Sequence, residues 1–193
     1  GRAWESHAGI NIYYTLMLKP DFSSDCAPML TLVMALAVAK GIRQTLRRDS
    51  EEVAAKVGIK WPNDIVVDGK KVCGILTEMS MEQGYIQHIV IGVGINVRKQ
   101  EFPEEIRDRA AAIDEQCGFR ISRSQLIADI MEVFEEDYEI FLQTHDLKGL
   151  RASYAELLVN QDREVCVLDP KGEYRGIARG INDLVEPLYL TEV

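Results

Sequence analysis

An Asp-Gly pair between two apolar runs constrains the fold of this chain more than any other feature. It stands at 68–69, between the runs 65–67 and 72–76. Asp-Gly readily supplies the two left-handed residues of a tight turn, and it is the strongest short-range signal for a β-hairpin. We therefore predict two antiparallel strands, 60–67 and 71–78, which commit the chain to a sheet.

Hydrophobic periodicity predicts the elements around this hairpin. Segment 29–46 is apolar almost all round, which indicates a helix buried against the sheet. The segment after Ser122 has apolar residues every three or four positions, and Ser122 with Gln125 has the spacing of a capping box. We also predict a buried strand at 11–19, a further strand at 85–91, and helices at 50–57, 102–118 and 147–158.

The pattern changes near residue 160 to short apolar runs separated by turn residues, among them Asp169-Pro170-Lys171-Gly172. This tail reads as a small β module whose boundary lies at about 158–162. Mixed strands and helices followed by such a module predict the α+β fold class.

Charge and cysteine content exclude several classes of function. The formal net charge is -9 and the pI about 4.9, which argues against a broad nucleic-acid surface. No signal peptide and no apolar run of membrane-spanning length are expected. The four cysteines are scattered, and the three histidines are isolated, so a zinc site is not expected. The simplest interpretation is four reduced thiols in a cytoplasmic protein.

Asn63 and Asp64 have two interpretations. Pro-Asn-Asp is ordinary turn chemistry. An amide oxygen beside a carboxylate is also a hard-oxygen environment suited to Mg²⁺, which takes one or two carboxylates plus substrate phosphates. Lys60 and Trp61 just before the pair, and Lys71 after the hairpin turn, favour a ligand site.

The two neighbouring lysines cannot both face that site, because adjacent strand residues point to opposite sides. We predict that Lys71 faces a ligand and that Lys70 is a solvated edge charge. Gly74 would let a ligand approach the returning strand.

Several other positions remain open between structural and functional interpretations. Gly92 and Gly94 predict either a β-bulge or a close approach of a ligand. Asn96 is either a turn residue or a ligand contact. Cys73 is interpreted as a small core residue.

The stretch "KWPNDIVVDGKKVCGIL" with Glu78 after it, together with "IVIGVGINV", resembles the catalytic domain of biotin protein ligases. "REVCVLDPKGEYRGIARGIND" resembles the family's small SH3-like C-terminal domain. The resemblance implies a mixed β-sheet flanked by helices, of the class II synthetase and biotin–lipoate ligase type, and then an SH3-like barrel. It implies that 1–158 are the catalytic domain without its N-terminal part, and that 159–193 are a shortened SH3-like domain.

The resemblance also implies a two-step ligation. Biotin and Mg-ATP would give biotinyl-5′-AMP, and a lysine of a biotin carboxyl carrier protein would then receive the biotin. The implied partners are this carrier and, through pairing of strand edges, a second copy of the chain, with no membrane and no nucleic acid bound through these residues.

Site residues follow from the resemblance position by position. Lys71 and Arg2 would be the catalytic cations. The biotin pocket would comprise Lys71, Gly74, Leu76, Gly92, Gly94 and Tyr13. The ATP or adenylate site would comprise Arg2, Trp4, Lys60, Asn63, Asp64 and Asn96, with Asn63 and Asp64 also holding Mg²⁺.

A lipoate ligase and a non-catalytic biotin sensor are the alternatives. Trp61-Pro62 before Asn-Asp, and Gly-Ile-Leu with Glu78 after the second lysine, favour biotin over lipoate.

Overall fold

The computed structural model of the protein describes residues 9–169, 172–182 and 187–190. Five antiparallel strands form the main sheet in the order β1-β5-β4-β3-β2. They are β1 (Ile12–Leu18), β2 (Val57–Lys60), β3 (Asp64–Val67), β4 (Lys70–Glu82) and β5 (Tyr85–Ile95). The prediction of a mixed sheet is wrong for these strands, because each of the four pairs is antiparallel.

Helices lie on one side of this sheet, so the predicted α+β class is confirmed. They are α1 (Met29–Arg47), α2 (Glu51–Ala54), α3 (Ile113–Cys117), α4 (Arg123–Thr144) and α5 (Arg151–Leu157). A second sheet of three antiparallel strands follows, comprising β6 (Glu164–Asp169), β7 (Gly172–Ile181) and β8 (Pro187–Leu190).

The helix α1 is the centre of the core. It is buried on nearly every side, as its all-round apolar sequence predicted. The sheet covers one side of α1, and α4 packs on it as well. The two helices approach so closely that a Cβ on Gly41 would lie 2.8 Å from the Cα of Ile130.

Ion pairs also join α1 to α4. Lys40 Nζ donates to Asp137 Oδ1 at 2.7 Å, and the carboxylate of Asp137 is almost fully buried. Asp129 is 1% exposed and accepts hydrogen bonds from Thr45 of α1 and from Arg48, the C-cap residue that follows α1. Buried charges of this kind require such partners, so these pairs fix how the two helices face each other.

One face of the sheet is covered by α1, and the opposite face, here called the open face, is not. Ile89, Ile91 and Ile95 of β5 are fully buried toward α1. The strand β1 was predicted to be buried, but only alternate side chains point into the core; of these Ile12 is buried, and Tyr14, Leu16 and Leu18 are partly buried. Met17 is 61% exposed on the open face, because successive strand residues point to opposite faces.

The predicted hairpin is confirmed, and its turn has the expected geometry. Asp68 and Gly69 both have positive φ, at 50° and 76°. The strand predicted at 60–67, however, is two strands, β2 and β3, which pair antiparallel with Lys60 opposite Asp64. Residues 61–63 form the loop between them, with a cis peptide bond before Pro62. The Lys-Trp-Pro-Asn-Asp motif is therefore itself a tight hairpin.

Other helix predictions need smaller corrections. Segment 50–57 contains only one turn of helix, and 102–118 is mainly turns before α3, which ends at Gly118 as expected. The N-cap of α4 is Ser122 as predicted, because its hydroxyl accepts from the Gln125 N–H. The Gln125 side chain donates to Asp129 instead of completing the capping box.

The apolar segment that ends with α1 corrects the expectation about membrane spans. Residues Ser24–Arg47 are long and apolar enough to cross a membrane by length and composition. In the structure 72% of the most apolar window is buried inside the protein. This burial is typical of a core helix.

The C-terminal segment contacts the hairpin that carries the Asn-Asp pair. Val159 N–H donates to Ile59 O at 2.9 Å. A Cβ on Gly58 would lie 2.3 Å from a methyl carbon of Val159, so only glycine permits this approach. Pro170 and Lys171 of the predicted turn lie outside the described residues, although β6 and β7 pair on either side of it.

Candidate functional site

Three glycines put no side chain on the open face; Gly92 is half-buried, whereas Gly74 and Gly94 are buried. Gly74 of β4 pairs with Gly94 of β5, and Gly92 pairs with Leu76 one step along. We call Gly74, Gly92 and Gly94 the glycine patch. The ladder is regular there, so the β-bulge interpretation of "GVGIN" is wrong. Glycine in a strand interior often marks a place where a ligand or another backbone approaches closely.

The surroundings of the glycine patch follow from the strand register. Tyr13 lies beside Gly94, and Asp64 lies beside Gly74, because directly opposed residues share a face. Leu76 is 63% exposed next to Gly92. A Cβ on Gly92 would meet only Leu76 O, at 3.7 Å. The space directly above Gly92 is therefore open.

A register shift between β3 and β4 brings Lys71 to this face. Simple alternation would place Lys71 on the α1 side with Cys73 and Ile75, which are buried. The pairing instead shifts by one residue between Ile65 and Val66. Lys71 Nζ consequently forms an ion pair with Asp64 Oδ1, and both side chains are partly exposed. The site thus has a lysine–carboxylate pair at one end of the glycine patch.

Asn63 is tied to the edge of β4. Its Nδ2 donates to Ile75 O at 2.8 Å, and its own carbonyl accepts from Ile75 N–H at 3.1 Å. The turn interpretation of Asn63 therefore describes a real structural role, and its amide oxygen remains as a potential ligand atom. Lys60 is exposed opposite Asp64. The indole Nε1 of Trp61 is buried with no hydrogen-bond partner in the described part of the chain.

The segment 98–112, here called the β5–α3 loop, joins the site through backbone hydrogen bonds. Lys71 N–H donates to Arg109 O at 2.7 Å, and Ala111 N–H donates to Lys71 O at 2.9 Å. Asn96 at the base of the loop donates its N–H to Val72 O. The loop therefore holds the backbone of Lys71 in place along the edge of β4 that faces away from β3.

A cleft of about 640 Å³ lies between this loop and the start of β4. Its wall includes the cations Lys70 and Arg107, the ring of Phe102 and the amide of Gln100, with Glu101 and Glu115 also present. Lys70 is exposed as predicted, but it lines this cleft as well. Asp64 and the glycine patch are not part of the cleft wall.

Cys73 is a core residue, as interpreted. It is 1% exposed, and burial raises the pKa of its thiol above the ordinary value. A thiol with a raised pKa is a poor nucleophile at neutral pH. All four cysteines are free thiols, as expected.

The structure places most of the predicted residues on or beside the open face, and two of them lie outside the described residues. Tyr13, Asp64, Lys71, Leu76 and the glycine patch share the open face, while Lys60, Asn63 and Asn96 lie at its margins. Arg2 and Trp4 lie outside the described residues. Sequence reasoning missed the contact of the β5–α3 loop with Lys71, because polar loop residues carry no periodicity.

Among the described residues, Asp64 is the carboxylate that lies beside Gly74 at this site. Within the described ranges no group of three His, Cys, Asp or Glu side chains could hold a metal ion. Asp64 with the amide oxygen of Asn63 does fit Mg²⁺, because that ion usually takes one or two carboxylates and completes its shell with phosphates and water.

An antiparallel sheet with helices on one face and a glycine-lined open face defines an α+β ligand-binding domain. Residues 1–96 match the model of the Biotin/lipoate A/B protein ligase family, and this part of the chain belongs to that family.

Relatives and solved structures agree with this assignment. "Bifunctional ligase/repressor BirA" of Bacillus subtilis is 34% identical over 184 residues, which cover 94% of this chain and 54% of that protein. The "Biotin--[acetyl-CoA-carboxylase] ligase" of Paracoccus denitrificans is 26% identical, covering 95% and 75%. The structure "Biotin protein ligase from Aquifex aeolicus in complex with biotin and ATP" matches with a TM-score of 0.79 and 27% identity, covering 100% and 76%. The chain spans about half the length of the Bacillus relative.

Proposed function

We propose that this chain is the catalytic part of a biotin–carrier ligase. It activates biotin with Mg-ATP to biotinyl-5′-AMP and then transfers biotin to a lysine of a biotin carboxyl carrier protein. The observation that carries the proposal is the Lys71–Asp64 pair at the end of the glycine patch. The names of the similar ligases, with a solved complex containing biotin and ATP, support it.

In this proposal biotin lies on the open face. Its rings and aliphatic tail contact Leu76, Tyr13 and the glycine patch, since bare backbone admits a flat bicyclic ligand. Its carboxylate reaches Lys71. Lys71 then separates from the carboxylate of Asp64 and pairs with the carboxylate of biotin.

ATP must meet that carboxylate despite like charges. Lys71 stabilises negative charge on the reacting oxygens and is already positioned by its backbone bonds to the β5–α3 loop. Asp64 and Asn63 would hold Mg²⁺, which supplies charge neutralisation at the phosphates. Orientation of two bound substrates contributes ~7–11 kcal/mol to lowering the barrier, so no covalent nucleophile is required.

The nucleotide extends from Lys71 toward the β5–α3 loop in our proposal. The cleft there has the cation Arg107 for phosphate groups and Phe102 for contact with a base, while Lys70 remains a solvated charge on the same wall. Lys60 and Asn96 at the margin of the site, and Arg2 and Trp4 near the N-terminus, complete the proposed nucleotide contacts.

Domain organisation and partners are part of the proposal. Residues 1–158 form the catalytic domain, and 159–193 form an SH3-like module of which β6, β7 and β8 are strands. We propose a cytoplasmic location and a homodimer through β4. From Leu76 to Glu82 the edge of β4 that faces away from β5 has no strand partner among the described residues.

Biotin-dependent release of pyrophosphate from Mg-ATP by the intact protein tests the proposal. We expect release that requires biotin, followed by biotinylation of an added carrier domain. Release driven by lipoate instead would identify a lipoate ligase, and biotin binding without release would identify a sensor; either result would overturn the proposal.

A further inference from the structure

Asn11 lies between the two proposed substrate regions and is hydrogen-bonded toward both. It precedes β1 and is 8% exposed. Its Oδ1 accepts from Val97 N–H at 2.9 Å. Its Nδ2 donates to Tyr13 Oη at 2.9 Å and to Gln100 Oε1 at 2.9 Å. One buried amide thus contacts the open face, the end of β5 and the wall of the cleft.

The orientation of this amide is fixed by chemistry. A backbone N–H can only donate, so the atom that faces Val97 must be the oxygen. The nitrogen is then left with its two hydrogens for Tyr13 and Gln100. No other orientation of Asn11 satisfies all three partners, and a buried amide loses free energy for each partner it lacks.

The backbone beside Asn11 reinforces the connection. Arg98 N–H donates to Ile10 O at 3.2 Å, so the first residue of the β5–α3 loop is bonded to the same segment. Arg123 at the start of α4 donates to Gly9 O at 2.8 Å. The backbone of segment 9–11 is therefore held from two sides.

We infer that Asn11 is a positioning residue that couples the two substrate regions. This inference rests on the proposed function, with biotin at Tyr13 and ATP near the β5–α3 loop. When biotin fixes Tyr13, the Asn11 amide favours the loop position in which Gln100 accepts its second hydrogen. When ATP fixes the loop, the same amide favours the Tyr13 position that biotin needs. Linkage makes this coupling reciprocal.

Calorimetric titration of biotin into the intact protein, with and without saturating α,β-methylene ATP, tests the inference. The ratio of the two dissociation constants is the coupling factor. The Gln100→Met variant removes the acceptor for Asn11 at similar side-chain size. We expect it to lower the coupling factor about three- to tenfold, the effect of one hydrogen bond, with biotin affinity in the absence of nucleotide unchanged.

The control is Gln116→Met, which makes the same change on the same cleft wall, at a residue with no hydrogen bond to Asn11 in the described structure. It should retain the wild-type coupling factor. Asn11→Ala should lose coupling as Gln100→Met does, in addition to lowering the melting temperature.

An unchanged coupling factor in Gln100→Met, or an equal decrease in Gln116→Met, would overturn the inference. So would a wild-type protein that binds biotin and nucleotide independently. Failure of the wild-type protein to bind biotin at all would instead overturn the proposed function, so the two failures are distinguishable.

Discussion

Single residues decide the charge and shape of the proposed site. Lys71 and Asp64 neutralise each other before substrates bind, and Lys70 points elsewhere, toward the cleft. The glycine patch provides room, and Lys71 provides charge. Substitutions at these positions should consequently change ligand binding or rate while leaving the core intact.

Lys71→Ala should lower the rate of biotin-dependent pyrophosphate release by a factor on the order of 10²–10³, the usual effect of removing one preorganised group that stabilises developing charge. Lys70→Ala, the adjacent control, should have a much smaller effect because Lys70 is exposed on the cleft wall. Steady-state kinetics on both variants provide the comparison. Equal losses would mean that the reacting oxygens do not meet Lys71.

Asp64→Asn should raise the Mg²⁺ concentration needed for pyrophosphate release, because an amide keeps the shape but lacks the negative oxygen that Mg²⁺ prefers. Biotin affinity without nucleotide should be largely retained. A magnesium titration of the rate, combined with biotin calorimetry, measures both quantities. If the variant is stable and its Mg²⁺ requirement is unchanged, Asp64 has only a structural role.

Gly92→Ala should weaken biotin binding by about tenfold or more while shifting the melting temperature little. The new methyl group meets only Leu76 O at 3.7 Å within the protein, yet it occupies the space where we place biotin. Gly41→Ala is the converse control, because its Cβ would collide with the backbone of Ile130 in the core. Wild-type biotin affinity in Gly92→Ala would show that biotin does not bind at this part of the sheet.

Packing of α1 against α4 determines the stability of the elements that support the sheet. Burial by itself raises the pKa of Asp129, but hydrogen bonds from Arg48, Thr45 and Gln125 together outweigh it, so the pKa lies below its usual value. Burial raises the pKa of Asp137 more than the Lys40 hydrogen bond lowers it. The contribution of Asp137 to folding stability therefore changes with pH in the opposite direction to that of Asp129.

Asp129→Asn should destabilise the protein by about 1–3 kcal/mol at pH 7, because Arg48 loses its charged acceptor. A lowered folded-state pKa gives stability that is present above about pH 4, the unfolded value, and is lost as pH falls through the folded value. The deficit of the variant should therefore shrink in acid. Urea unfolding of both proteins at pH 7 and pH 3 measures it, and a deficit independent of pH would contradict the assigned ion pair.

At the scale of the whole molecule, the sheet and the C-terminal segment are joined through the β2–β3 hairpin. Val159 and Ile59 share a backbone hydrogen bond, and Tyr154 Oη donates to Pro62 O at 3.4 Å. The far end of β4 lies away from these contacts, with Met79 and Met81 partly exposed there. An unpaired strand edge of this kind is a template for pairing with another chain.

Met81→Lys should raise the dimer dissociation constant at least about tenfold, a loss of about 1.4 kcal/mol, since lysine on an edge strand opposes pairing. Leu142→Lys on the exposed side of α4 is the matched control and should leave the constant unchanged. Sedimentation equilibrium measures both. A wild-type protein that remains monomeric at high concentration would show that the proposed dimer does not form.

The sequence by itself determined the features that depend on local patterns. The Asp68-Gly69 hairpin, the buried helix α1 and the cap at Ser122 follow from turn chemistry, periodicity and capping, which act over a few residues. The motif around Lys71 was also sufficient to indicate the family, because its residues are contiguous.

Only the tertiary structure decided how these parts meet. Alternation along β4 places Lys71 on the buried side, and the register shift against β3 reverses this, which depends on pairing between strands. The three partners of Asn11 are two, 86 and 89 residues away in sequence. Such long-range hydrogen bonds leave no periodic signal, because they are set by packing of the whole chain rather than by the propensity of any segment.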